Sequence, residues 1–285
     1  MIPKVIHYCW FGGKKLPDDV LKCIESWKKY APEYEIIQWN ENNYDVNVCA
    51  YVKEAFMKKK WAFVSDFARY DILYKYGGIY FDTDVQMIAS IDDIVDKGPF
   101  MGFECKKDEK TEWLVNPGIG IAAYPGMDLY RRMIDFYKNQ KFILEDNTLN
   151  PLTVCDYTTN ILKEDGLKPQ NTIQKIDGIY IYPTEYFCPK NYFTGELDIT
   201  DNTRTIHHYT SSWLSEQELK AHNFEIAMQK KVGKKCARIL ERIYSLPYRV
   251  TNKVKTVGVK KSLNIVLKRI KCIILGGKSE DKKCL

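Results

Sequence analysis

Two aspartates separated by one residue, Asp82 and Asp84, are the side chains in this sequence best suited to binding a metal ion. They stand in residues 79–85, a segment that predicts a single β-strand running through both aspartates. Side chains two positions apart on an extended chain point to the same side, so we expect both carboxylates to face one small volume. Such carboxylates repel each other unless Mn²⁺ or Mg²⁺, bound together with phosphate oxygens, compensates their charge. A solvated turn rich in Asp is the alternative interpretation of so short a pattern.

An acid and an arginine precede these aspartates on a predicted helix. Asp66 and Arg69 are three residues apart and therefore share one face of that helix. Ser65 is the predicted N-cap and Gly77 the predicted C′ residue, which places Asp66 beside the partly positive helix N-terminus. Arg69 offers a planar set of donors to a phosphate or to sugar hydroxyls. The alternative is an exposed ion pair of little energetic consequence.

The elements around these residues predict an α/β fold with a Rossmann-like sheet. Lys4–Trp10 predicts a buried strand that ends at Gly12 and Gly13, a helix is predicted from Pro17, and Glu35–Trp39 predicts a second strand. A strand, a helix and a strand in succession are typical of the start of such a sheet. Further strands are predicted near Phe100–Phe103, Gly118–Ala122, Ile179–Tyr182 and Thr205–His208, and further helices near Val52–Lys60, Leu129–Asn139 and Thr158–Lys163.

Charge is distributed unevenly along the 285 residues, whose formal net charge is +6. Residues 226–285 contain 17 Lys and Arg but only three Asp and Glu, so the preceding 225 residues are net acidic. This asymmetry predicts one domain over residues 1–225 and a basic, amphipathic, helical tail over residues 226–285. Basic and apolar residues alternate in the tail at near-helical spacing, as in helices that lie on an anionic membrane surface. A packed helical subdomain with a solvated basic face is the alternative.

The nine cysteines are scattered without a CxxC pair, which favours free thiols in a reducing compartment over a zinc cluster or a disulfide framework. The N-terminus shows no signal peptide pattern. We therefore expect a cytoplasmic protein, peripheral to the inner face of the cell membrane if the tail binds there. No GxxxxGKS/T loop, GxGxxG fingerprint or GxSxG elbow is present, and no nucleic-acid-binding module is found, so nucleic acid is not expected as a partner.

Two long segments of the sequence carry a family resemblance. The segments are Ile2-Pro3-Lys4-Val5-Ile6-His7-Tyr8-Cys9-Trp10-Phe11-Gly12-Gly13 and Ser65-Asp66-x-x-Arg69-Tyr70-x-x-Leu73-x-x-x-Gly77-Gly78-Ile79-Tyr80-x-Asp82-x-Asp84. They resemble family 32 glycosyltransferases, which include bacterial capsular polysaccharide and lipopolysaccharide transferases and are distantly similar to clostridial glucosylating toxins. The resemblance covers roughly residues 1–215 and implies a GT-A fold, a Rossmann-like sheet that binds a nucleotide sugar.

The resemblance also implies a role for each matching position. Asp84 would ligate Mn²⁺ or Mg²⁺, and a late histidine would join it; since neighbouring residues on a strand face opposite ways, only one of the two candidates is expected to reach the metal. Asp82 would contact the ribose or the metal. The two candidate histidines are His207 and His208. Asp66, Arg69 and Tyr70 would contact the donor, and Asn116 would contact the transferred sugar. Trp10 would contact the nucleobase, and Trp213 the diphosphate. A buried core position is the alternative for Trp10.

The implied activity is transfer of a hexose, with retention of anomeric configuration, from a nucleotide sugar to a saccharide or lipid-linked saccharide. UDP is the expected nucleotide because Trp10 resembles a uracil-stacking residue. The implied context is synthesis of a capsule or of another cell-surface polysaccharide or lipopolysaccharide. The alternatives are a toxin-like transferase that glycosylates a protein and a non-catalytic module that binds nucleotide sugars.

Overall fold

Two units make up the chain, Met1–Trp213 and Leu214–Leu285. The computed structural model describes residues 1–106, 111–150, 152–211 and 214–257. The strands are β1 Val5–Cys9, β2 Glu35–Trp39, β3 Gly78–Tyr80, β4 Val85–Met87, β5 Phe100–Gly102, β6 Ile121–Ala123, β7 Gln174–Ile176, β8 Ile179–Tyr182 and β9 Thr205–His207. The helices are α1 Asp18–Tyr30, α2 Ala50–Met57, α3 Trp61–Tyr76, α4 Asp92–Val95, α5 Asp128–Lys138, α6 Val154–Glu164, α7 Thr184–Phe187 and α8 Glu216–Val257.

A seven-stranded mixed sheet in the order β2-β1-β3-β6-β5-β8-β7 forms the centre of the first unit. Strand β1 pairs in parallel with β2 and β3, and β5 pairs in parallel with β8. The remaining neighbours are antiparallel, and β4 and β9 form a separate antiparallel pair. The predicted α/β class with a Rossmann-like sheet is confirmed.

Alternation along the strands distributes the apolar side chains between two cores. In β3, Tyr80 faces the core that α2, α3, α5 and α6 cover, whereas Ile79 faces the core that α1 covers. Helix α1 buries a stripe that includes Val20 and Trp27, as its spacing predicts. The Trp27 indole donates a hydrogen bond of 2.8 Å to the Val85 carbonyl and so fixes the start of β4.

The helix that carries Asp66 and Arg69 begins earlier than predicted. It starts at Trp61, so the interpretation of Ser65 as its N-cap is wrong. Ser65 lies inside the helix, where its hydroxyl donates to the Trp61 carbonyl, as Ser often does within helices. The predicted end is confirmed, because the helix stops at Gly77, whose φ of 64° suits a residue without Cβ.

The predicted single strand through the two aspartates is also wrong, because β3 ends at Tyr80 and β4 begins at Val85. Between them the chain turns, and the Val85 amide donates to the Asp82 carbonyl at 3.1 Å. Asp82 and Asp84 therefore do not share one face of a strand. Each carboxylate has its own set of partners.

The second unit contains α8, which is broken at Gly233, where φ is 77°. Its two halves run alongside each other: Phe224 stacks on Tyr244 with ring centroids 4.6 Å apart, and Glu225 pairs with Arg238 at 3.7 Å. The boundary predicted between residues 225 and 226 falls within this helix. No helix in the part of the chain that the structure describes is long and apolar enough to cross a membrane.

Candidate active site

A buried arginine joins two carboxylates at the carboxyl end of β3. The Arg69 guanidinium Nη2 lies 3.0 Å from Asp66 Oδ1 and 3.1 Å from Asp82 Oδ1. The side chain of Arg69 is 3% exposed and that of Asp66 is 14% exposed, so this is not the exposed surface pair considered as the alternative. Asp82 is 29% exposed and also accepts a hydrogen bond from the Tyr80 hydroxyl at 3.0 Å. The cluster is rigid at Arg69 and open to a ligand at Asp82.

Burial and charge determine the protonation of this cluster. Burial raises the pKa of Asp66 to about 7; Arg69 acts to lower it and Asp82 to raise it further. Burial acts to lower the pKa of Arg69, but Asp82 and Tyr80 together hold it well above its usual value. Arg69 is therefore a permanent cation, while the charge of Asp66 changes near neutral pH.

The loop of residues 116–118 lies directly against Asp82. The Asp82 amide donates to the Gly118 carbonyl at 2.9 Å, and a Cβ at Gly118 would lie 2.0 Å from Asp82 Oδ2. The Asn116 side chain accepts from the Gly118 amide at 2.7 Å and donates to Glu104 Oε2 at 2.9 Å. The structure thus brings Asn116 to the same site as Asp66, Arg69 and Asp82.

Asp84 belongs to a second cluster, which β9 supplies. The register of the β4–β9 pair places Val85 opposite His207. Asp84 Oδ1 consequently lies 3.1 Å from His207 Nε2, and Asp84 Oδ2 accepts from both the amide and the hydroxyl of Thr210, at 2.8 and 3.0 Å. The backbone after β9 is strained, since Tyr209 and Ser211 have φ values of 58° and 53°. Through these contacts Asp84 holds the strained segment against the turn between β3 and β4.

The chemistry of Asp84 and His207 suits a divalent cation. Carboxylate oxygen and imidazole nitrogen are ligands that Mn²⁺ accepts, and His207 Nδ1 is buried without a hydrogen-bond partner among the described residues. No group of three or more His, Cys, Asp or Glu side chains gathers as a metal site in the described part of the chain. Two protein ligands fit an ion that takes its remaining oxygen ligands from water and from the phosphates of a substrate.

The other described candidates have hydrogen-bond partners outside these two clusters. His208 Nε2 pairs with Gln86 Oε1 at 2.9 Å rather than with Asp84. The Tyr70 hydroxyl is buried against Thr158 at 2.6 Å. Trp10 follows β1, packs against the α1-side core, and donates from Nε1 to the Lys14 carbonyl at 2.7 Å. Trp213 lies outside the described residues.

Two residues at the site were not predicted. Glu104, whose pKa burial raises while its hydrogen bond with Asn116 opposes the shift, holds the Asn116 amide in place. Thr210 holds Asp84. No sequence signal identified Glu104, whereas Thr210 stands between the candidate residues His208 and Trp213. Asp156 forms a capping box with Thr153 at the start of α6.

Comparisons with known proteins show similarity to glycosyltransferases. Residues 17–101 match the model of a family described as the glycosyltransferase sugar-binding region containing the DXD motif. An uncharacterized glycosyltransferase of Acanthamoeba polyphaga mimivirus is 28% identical over 204 residues, which are 67% of this chain and 77% of that protein.

Two more similarities extend over shorter or more divergent stretches. Inositol phosphoceramide mannosyltransferase 3 of Schizosaccharomyces pombe is 29% identical over 102 residues, which are 33% of this chain and 27% of that protein. Among solved structures, the galactosyltransferase LgtC with donor and acceptor sugar analogues matches 76% of this chain and 94% of its own, at 15% identity and a TM-score of 0.39.

Proposed function

We propose that this chain, a glycosyltransferase with the sugar-binding region that contains the DxD motif, transfers a hexose from a nucleotide diphosphate sugar to a saccharide acceptor. UDP is the proposed nucleotide, and Mn²⁺ or Mg²⁺ is the proposed cofactor. The proposed acceptor is a saccharide, free or lipid-linked, in the synthesis of a cell-surface polysaccharide or lipopolysaccharide. The proposed location is the cytoplasm.

The buried Asp66–Arg69–Asp82 cluster is the observation that carries this proposal. A cation and two acids at the end of a strand, all hydrogen-bonded in place, provide both donors and acceptors for the hydroxyls and the phosphate of a sugar nucleotide. Arg69 is fixed by a further hydrogen bond of 3.2 Å from its Nε to the Ser65 carbonyl. A preorganised cation of this kind stabilises negative charge without having to reorganise during the reaction.

Asp84 and His207 would hold the metal ion in this proposal, with Asp82 close by. When bound, the ion supplies positive charge beside the diphosphate and so stabilises the leaving nucleotide. Thr210 keeps the Asp84 carboxylate oriented through its amide and hydroxyl. His208, whose ring is engaged by Gln86, is the less favoured of the two histidines.

The proposed reaction is a displacement on the front face of the sugar. An acceptor hydroxyl forms the new bond to the anomeric carbon while the bond to the diphosphate oxygen breaks, and the departing phosphate takes the hydroxyl proton. Arg69 and Asn116 orient the sugar, because both side chains are fixed by hydrogen bonds at the edge of the site. Retention of configuration follows from attack on the same face as departure.

A panel of nucleotide sugars tests the proposal. UDP-galactose, UDP-glucose, UDP-N-acetylhexosamines and GDP-mannose are incubated with the protein and Mn²⁺, and release of the nucleotide is measured. We expect hydrolysis of at least one UDP-sugar, its loss on chelation, and its loss in Asp84→Ala. Asp198→Ala, which removes an exposed carboxylate elsewhere in the same unit, is the control. Full metal-dependent turnover by Asp84→Ala would refute the proposed metal site.

A further inference from the structure

The second half of α8, residues 234–257, carries an exposed apolar stripe. Ile239 is 58% exposed, Ile243 63%, Leu246 56% and Val250 47%. Their spacing of four, three and four residues places all four on one side of the helix. Isolated aliphatic side chains at a surface are ordinary, but four in register form a continuous apolar strip.

Among the described residues of its unit, this helix packs through a face other than the stripe. Ala237 and Ser245 are buried, and they lie on the other side of the helix from the stripe. The Tyr244 ring stacks on Phe224, and the Tyr248 hydroxyl lies 3.1 Å from the Ser215 hydroxyl, on the same inward side. Folding of the helical pair therefore uses one face of the helix and leaves the aliphatic face exposed to solvent.

Basic side chains border the stripe along one edge. Arg242 and Arg249 are exposed and stand three residues from Ile239 and Leu246 respectively, one step around the helix from the apolar line. Residues 234–257 contain seven Lys and Arg against a single acid, Glu241. Arginine side chains that extend from the edge of an apolar stripe reach the phosphate layer when the stripe lies among acyl chains.

We propose that this stripe docks the protein on an anionic lipid bilayer, with the second half of α8 lying parallel to the surface. The aliphatic residues enter the boundary between headgroups and acyl chains, and Arg242 and Arg249 contact lipid phosphates. A nucleic acid would meet the basic edge but leave the four aliphatic side chains against water or phosphate. Docking at a bilayer gives a transferase access to acceptors that are confined there, but it does not depend on the proposed reaction.

Sedimentation with vesicles tests this docking. The full chain is mixed with vesicles of phosphatidylcholine, with or without phosphatidylglycerol, and the bound fraction is measured at low and high salt. We expect binding that requires phosphatidylglycerol and weakens with salt. Two double variants should each weaken binding by roughly tenfold or more. Ile243→Ser/Leu246→Ser removes apolar burial, and Arg242→Gln/Arg249→Gln removes the attraction to lipid phosphates.

Ile173→Ser/Ile199→Ser is the matched control, because it removes two side chains of similar exposure, 50% and 52%, from the first unit. It should bind vesicles as the unchanged protein does, and circular dichroism should show that all variants keep their helix content. Nucleotide sugar hydrolysis in solution should be the same in the stripe variants, which separates this proposal from the proposed reaction. Unaltered vesicle binding by Ile243→Ser/Leu246→Ser, or equal binding without phosphatidylglycerol, would overturn it. Duplex DNA binding that exceeds vesicle binding and survives the serine substitutions would also overturn it.

Discussion

Asp84 and His207 form an ion pair in which the carboxylate Oδ1 lies 3.1 Å from the imidazole Nε2. Burial acts to lower the pKa of His207, but the Asp84 carboxylate raises it to about 9. Burial acts to raise the pKa of Asp84, and His207 and Thr210 together hold it below its usual range. At neutral pH a proton therefore occupies the place between the two side chains that a metal ion would take.

Competition between this proton and the metal predicts pH-dependent metal affinity. Because His207 must lose its proton to become a ligand, Mn²⁺ affinity should rise by about tenfold per pH unit below the pKa of about 9. Calorimetric titration of Mn²⁺ at pH 6, 7 and 8 measures this. In His207→Gln, which has no proton to lose, the affinity should be lower and nearly independent of pH. Equal affinity at all three pH values in the unchanged protein would refute His207 as a ligand.

Removal of Arg69 should destabilise the fold strongly. Arg69→Met leaves Asp66 and Asp82 without their shared cation, and breaking a buried pair in this way costs about 3 kcal/mol or more. Urea unfolding measures the loss. Arg131→Met is the control, because Arg131 pairs with carboxylates on the solvent-exposed face of α5, where little change is expected. An equal loss of unfolding free energy in the two variants would mean that the buried Arg69 cluster stabilises the fold no more than an exposed ion pair does.

Periodicity and turn residues predicted most elements of the first unit, since they are local properties of the sequence. The strand Ile179–Tyr182 was predicted with its observed bounds, and the end of α3 at Gly77 was predicted from the left-handed conformation that glycine favours. The start of α3 was missed because Trp61 to Val64 carry no capping signal and are helical through their packing on the core. Packing against the core, rather than a capping residue, therefore determines where α3 begins.

The sequence predicted which residues belong to the candidate site but not which of them contact each other. The sequence placed both aspartates on one strand, whereas Asp82 faces Arg69 and Asp84 faces His207. The choice between His207 and His208 remained open because it depends on the register between β4 and β9, and that register joins segments more than 100 residues apart. Glu104 had no signal because its significance lies only in its contact with Asn116.

Substitution of Gly118 should lower turnover as strongly as substitution of Asp82 does. An alanine Cβ at residue 118 would lie 2.0 Å from Asp82 Oδ2, so the carboxylate must move, and a shift of this order lowers turnover by roughly 100-fold. Nucleotide sugar hydrolysis by Gly118→Ala, Asp82→Ala and the double variant measures this. The double variant should be no worse than Asp82→Ala, because both substitutions act through one carboxylate. Additive losses would show that Gly118 acts independently of Asp82.

His7 should make stability depend on pH. Its Nδ1 accepts a hydrogen bond from the Trp39 indole at 3.1 Å, so its Nε2 donates to the Gly77 carbonyl at 3.0 Å, and the ring must be neutral. Burial lowers its pKa to about 4 from 6.5, although the bond to Gly77 opposes the shift. The unfolded chain therefore binds the proton first as the pH falls, and stability is lost between pH 6.5 and 4, by about 3 kcal/mol at most.

The measurement for His7 is the difference in unfolding free energy between the unchanged protein and His7→Gln, from urea unfolding at pH 4.5 and 7.5. Taking the difference removes the contributions of other groups, including Asp66, whose raised pKa of about 7 acts in the opposite direction over the same range. The unchanged protein should exceed His7→Gln in stability by more at pH 7.5 than at pH 4.5, because the glutamine side chain of the variant does not titrate. Since His7 links β1, the start of β3 and Trp39, a difference that does not change with pH would mean that the ring accepts a proton without breaking those hydrogen bonds.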